Sequence, residues 1–122
     1  MNGARIITKQ LSKSELRELC AAYFKTFVKF VVDIKQGIMS VGGELHADGE
    51  ALLIEQGSNQ SNLWGANFYP GKTPLERLEY TVLINIRPRD NNFGMEISDP
   101  AIQSKVKELA EQLLLAADDS LA

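Results

Sequence analysis

Leu16, Leu19, Cys20, Tyr23, Phe24 and Phe27 recur at spacings of three and four, which lays one apolar stripe along a helix. Ser12 and Glu15 stand three residues apart at its start. That is the capping-box arrangement, in which hydroxyl and carboxylate satisfy the first free amides. Ahead of this helix, Arg5-Ile6-Ile7-Thr8 is a short apolar strand. Behind it, the β-branched Val28, Val31, Val32 and Ile34 predict a strand over 28–34. Strand, helix, strand implies a right-handed parallel crossover.

Beyond Ile34 the pattern changes to short apolar runs parted by turn residues. Lys35-Gln36-Gly37 turns the chain into Ile38-Met39-Ser40-Val41. Asp48-Gly49, two residues that tolerate positive φ, predicts a hairpin whose second strand is 51–55. Residues 63–69 form the next strand, stopped by Pro70-Gly71. A polar link with one helical turn over 74–77 leads to the longest strand, 79–87. An irregular loop follows over 88–98. Asp99 before Pro100 then opens a final helix whose buried side is Ile102, Val106, Leu109, Leu113 and Ala116.

These elements predict an α+β fold with residues 1–122 as a single domain. It is a two-layer sandwich, with two helices on one face of a mixed, mostly antiparallel sheet that starts β-α-β and continues as a meander. Trp64, Ala66 and Phe68 point towards the helices, as do Tyr80, Val82, Ile84 and Ile86. Leu53, Leu63, Asn67, Tyr69 and Leu83 share the far face. A face that is half apolar and half polar joins a second subunit or borders a ligand cleft, and a homodimer is the expected assembly.

Composition narrows the chemistry. Thirteen basic against sixteen acidic residues give a net charge of -3, with the basic ones scattered, which argues against a nucleic-acid partner. A lone cysteine, Cys20, on the buried stripe excludes an internal disulfide and any multi-cysteine zinc site. The start is too polar for a signal peptide and no apolar run reaches membrane length, so a cytoplasmic location away from membranes is expected. Pro70-Gly71-Lys72-Thr73 lacks the earlier glycine of a phosphate loop, having Ala66 there, and Pro74 forbids an immediate helix. Neither a Rossmann glycine fingerprint nor a nucleophile elbow is present, so no motif names a cofactor.

Two stretches remain as candidate sites. In GGELHADGE, Gly42 to Glu50, the only histidine stands among carboxylates. Read as a strand, Glu44, His46 and Asp48 share a face with Cβ atoms about 7 Å apart at each step. Such a group suits proton transfer or an oxygen-rich Mg²⁺ or Mn²⁺ site, and it equally suits a polar cluster that fixes a turn. In Arg87-Pro88-Arg89-Asp90-Asn91-Asn92, two guanidiniums beside amide side chains suit a small anionic ligand; the plainer role for Arg87 is an ion pair, for instance with Asp33.

The segments VVDI, GGELHADGE, LLIEQGS, LWGANFYP and INIRP, with the Asp-Pro-capped helix after them, resemble a small family of uncharacterised prokaryotic proteins, a domain of unknown function. The resemblance implies no activity, cofactor or catalytic residue. It leads one to expect alanine at Gly49, which suits a helix or a straight strand better than a hairpin. It also associates a different, arginine-containing loop with the positions after Pro88. Two functions stay open. One is a ligand- or metal-binding domain with a polar site around Glu44, His46, Asp48, Asn85, Arg87 and Arg89. The other is a non-enzymatic homodimeric interaction module that uses the open sheet face.

Overall fold

A computed structural model describes residues 3–121. It has the expected α+β composition, with five strands and three α-helices: β1 (Arg5–Ile7), α1 (Lys13–Ala22), β2 (Val28–Asp33), β3 (Ile38–Val41), α2 (His46–Glu55), β4 (Leu63–Phe68), β5 (Leu78–Glu79) and α3 (Pro100–Leu113). The strands form one sheet in the order β1-β3-β2-β4-β5, and every pairing is antiparallel. β1 and β2 run in the same direction but do not pair, because β3 lies between them. The expected parallel neighbours are therefore separated by an inserted strand.

The helix ends follow the residues that cap them. The Ser12 hydroxyl accepts from the Glu15 amide while the Glu15 carboxylate accepts from the Ser12 amide, the reciprocal pair expected from their spacing. Asp99 accepts from the Ala101 amide and Pro100 occupies the first turn of α3. Leu16 and Cys20 of α1, with Val106, Leu109, Ala110 and Leu113 of α3, pack on the sheet face that carries Phe30, Val32, Met39, Trp64 and Phe68. Arg77, 2 % exposed, closes this layer beneath the chain that leaves α3. Its guanidinium donates to the carbonyls of Leu115, Ala116 and Asp119 and lies over the Phe68 ring.

Three expectations are corrected. The predicted hairpin at Asp48-Gly49 and its strand over 51–55 are instead the single helix α2. Gly49 serves close packing there: a Cβ on it would sit 2.3 Å from Ser40 Oγ and 3.2 Å from Ser40 Cβ. The strand predicted over 79–87 joins the sheet only at Leu78–Glu79; beyond that Thr81 and Arg87 make isolated bridges to Glu96 and Asn92, and the chain makes short 3₁₀ turns at Leu83–Asn85 and Pro88–Asp90. It leaves the sheet because it crosses over β4 at Gly65, where Val82 and Ile84 come so close that a Cβ would meet them at 3.0–3.1 Å. Finally, the second sheet face is covered. Leu53 of α2 buries itself with Val31 and Leu63, and Ile84 packs against them. The open face foreseen for a second copy thus has Leu53 and Leu63 fully buried within the chain, with Leu83 left exposed.

Candidate functional site

α2 and the 82–95 segment cover the second face from opposite sides, and a cleft of about 410 Å³ remains between them. Strands β2 and β4 and the end of β5 supply its floor, through Lys29, Asn67 and Glu79, with Tyr69 just past β4. Its rim is apolar: Leu45 at the N-terminal cap of α2, and Leu83 and Met95 from the facing segment, are all exposed. An apolar mouth over a few convergent polar groups has the form of a small-molecule site.

His46 enters this cleft from the first turn of α2. Its Nε2 lies 2.9 Å from the Ala66 carbonyl, an acceptor only, so Nε2 carries the proton and Nδ1 is the basic nitrogen of the neutral ring. Burial pushes the imidazole below its ordinary range, and the Lys29 ammonium adds to this. The Ala66 carbonyl, Asn67 and Glu79 oppose it without prevailing. Lys29 is held in place, since its ammonium donates to the Glu44 carbonyl at 2.6 Å and stands over the Phe24 ring. Asn67 donates to Glu79 Oε1 at 2.7 Å, and the Tyr69 phenol, pushed up by burial and then by the Glu79 charge, faces the same carboxylate. The Asn67 side chain is buried beside the imidazole. His46, Asn67, Glu79 and Tyr69 thus form a polar chain brought together from a helix and two strands.

The depressed imidazole has a consequence for stability. His46 is the only histidine, so between about pH 5 and 8 it is the main side chain free to titrate. The unfolded chain takes up its proton near pH 6.5. The folded chain does so at lower pH. Unfolding therefore binds protons as pH falls, and stability should be full above that value and decline below it. Urea midpoints measured at pH 8 and pH 5.5 should show this decline, and His46→Gln should flatten it; an equal decline in the variant would refute the assignment.

The other residues singled out from the sequence are dispersed or already engaged. Glu44 is exposed and contributes its backbone carbonyl to Lys29. Asp48 lies in the first turn of α2, where a carboxylate complements the helix dipole. Glu50, one helical turn beyond His46, lies near Arg87 rather than in the cleft. Asn85, fully buried, donates from its carboxamide to the carbonyls of Gly65, Tyr80 and Met95 and accepts from the Gly65 amide. Arg87 stacks on Trp64 with its guanidinium carbon 4.2 Å from the ring centroid, donates to the Gln60 carbonyl and pairs with Asp90. The ion pair suggested with Asp33 does not form, because Asp33 accepts instead from the Lys35 and Gln36 amides, the Gln36 side chain and Ser58. Arg89 is exposed and donates to Gln60 Oε1. His46 and Arg87 do not share the cleft.

Among the described residues no cluster of three or more His, Cys, Asp or Glu side chains is placed to hold a metal ion. Likewise no helix is long and apolar enough to cross a membrane. Sequence reasoning puts Asn67 and Tyr69 on the correct face but misses Glu79. Its partner Asn67 is its cross-strand neighbour, a relation visible only once the β4–β5 register is known.

The architecture defines an α+β protein with one antiparallel sheet covered on both faces and a polar-floored cleft beside its central strands. The chain belongs to the family described as Protein of unknown function (DUF5674), whose model matches residues 5–113. The match runs from the first residue of β1 to the last of α3, so it spans every element named above. No curated protein and no solved structure matches the chain.

Proposed function

We propose that this protein binds a small organic molecule in the His46 cleft and that the ligand presents an N–H donor, an ammonium group above all, on an apolar body. The observation that supports this is the convergence of His46, Asn67, Glu79 and Tyr69 on the floor of one cleft whose rim is apolar. The polar groups left to meet a ligand are acceptors. His46 Nδ1 is unprotonated, and Glu79 has no ion-pair partner among the described residues. The cation in the cleft, Lys29, is occupied by a backbone carbonyl and an aromatic face. An ammonium or amidinium group gains a charge-assisted hydrogen bond from Glu79, while a carboxylate would face it unfavourably. Leu83, Met95 and Ile84 supply apolar contact for the rest of the ligand.

Benzylammonium serves as a probe, with phenylacetate as the matched anion. In an amide-resolved NMR titration, benzylammonium should move the signals of residues 45–47, 67, 79 and 83, and phenylacetate should not. Glu79→Gln should weaken benzylammonium roughly tenfold, the size of one charge-assisted contact. Equal binding of the two probes, or shifts confined to other surfaces, would overturn the reading.

A further inference from the structure

We infer a second ligand site, on the opposite layer from His46, that takes a small apolar monocarboxylate. Arg17, Cys20 and Ala21 lie at positions i, i+3 and i+4 of α1 and so share one helix face. That face, the Lys25-Thr26 turn after the helix, the Pro70-Gly71 turn and Leu121 line an open cavity of about 600 Å³. This volume lies within the range of roughly 300–1,000 Å³ common to small-molecule sites. Cys20, Ala21, Pro70 and Leu121 make its interior apolar.

Charge selects the ligand class. Arg17 and Lys25 are the ionisable residues of the lining besides Cys20, and no carboxylate side chain lines the cavity. Both are exposed, and neither side chain has an ion-pair or hydrogen-bond partner among the described residues. An apolar interior under two unpaired cations complements a molecule with an apolar body and one anionic head. Lys25 carries a second signal. It adopts a left-handed backbone, φ 66°, where its amide closes α1 on the Cys20 carbonyl at 2.6 Å. Glycine and asparagine are the usual residues for that conformation, so a lysine there carries a conformational cost. The fold alone would be served better by glycine. What lysine adds at this position is a cation on the lip of the cavity.

Lys25→Gly separates the two roles, since it removes the charge and relieves the backbone. Isothermal titration with monomeric sodium decanoate should give saturable one-to-one binding to the full chain. Decyltrimethylammonium, which has the same tail and the opposite charge, should bind at least tenfold more weakly. Arg17→Gln and Lys25→Gly should each weaken decanoate roughly fivefold, as expected for one exposed charge pair. The Lys25→Gly protein should melt no lower than the unmodified one. Equal affinity for both amphiphiles, or decanoate affinity unchanged in both variants, would reduce the cavity to a general apolar surface and overturn the inference. Binding to phosphatidylglycerol vesicles without binding of monomeric decanoate would also overturn it, by assigning the two cations to a lipid surface. Benzylammonium, the probe for the His46 cleft, should not compete with decanoate, so the two proposals fail independently.

Discussion

Asn85→Ala should unfold at a much lower urea concentration than the unmodified protein, with a loss of about 3–4 kcal/mol. The carboxamide is fully buried and takes the place of a strand. Its oxygen accepts from the Gly65 amide at 2.9 Å and its nitrogen donates to the Gly65 carbonyl at 3.0 Å, so both edge-facing backbone groups of that residue are satisfied by one side chain. The same nitrogen reaches the Tyr80 and Met95 carbonyls and so ties together the chain on either side of the Asn85 turn. Truncation leaves buried donors and acceptors without their partner, at about 1–3 kcal/mol each. Asn85→Asp should fare no better, because it keeps one acceptor, loses the donors and buries a charge. A urea-derived loss below about 1 kcal/mol, within the range of an ordinary surface change, would show that the segment holds itself without this residue.

Arg77→Met should cost about 3 kcal/mol, and its effect should be local before it is global. The guanidinium is buried under the end of α3 and satisfies the carbonyls of Leu115 and Ala116, just past the last helical turn, and of Asp119. A cation at a helix C-terminus also complements the helix dipole. Methionine keeps much of the apolar stem and removes the donors, so the loss reports the hydrogen bonds rather than the packing. Lysine should not restore stability, because one ammonium cannot reproduce a planar fork that reaches three carbonyls. Hydrogen exchange should show residues 114–119 losing protection ahead of the strands. Uniform loss across the sheet, with the tail unaffected, would contradict the assignment.

The outer helices are legible in the amino-acid sequence because their caps and apolar stripes are local features. Ser12 with Glu15, and Asp99 with Pro100, mark helix starts within a residue of those observed. The inward set Trp64, Ala66 and Phe68 on β4 follows from simple alternation, and all three are buried in the main core. α2 is hidden for a physical reason. Its apolar residues do not keep to one side: Leu53 is buried while Leu45 at its cap and Ile54 within it are exposed, so no helical stripe appears. Asp48-Gly49 then reads as a turn, although Gly49 has no positive φ and serves close contact with Ser40 and Val31. The 79–87 segment misleads in the opposite sense. Tyr80, Val82, Ile84 and Ile86 alternate as a strand would, yet Val82 and Ile84 press on Gly65 across β4 and Ile86 is left exposed. Glycine inside an element marks a close approach in both cases, and the sequence does not say which neighbour approaches.

The candidate site is half legible for the same reason. His46 stands out as the lone imidazole, but strand spacing selects the wrong neighbours for it, since the chain enters a helix at this residue. Glu44 and Asp48 therefore fall away from it, while Asn67 and Glu79 arrive through cross-strand register. Arg87 and Asn85 draw notice as polar residues within an apolar run. That polarity serves the seam between the 82–95 segment and the sheet.

Open sheet borders recruit further chains, and proteins commonly blunt them with charge, proline or a covering loop. Here the outer side of β4 is capped at Gly65 by a single amide group carried on a neighbouring turn. A foreign β-segment would have to displace that group to pair with β4 there, so the closure of this border rests on a very short stretch of the molecule.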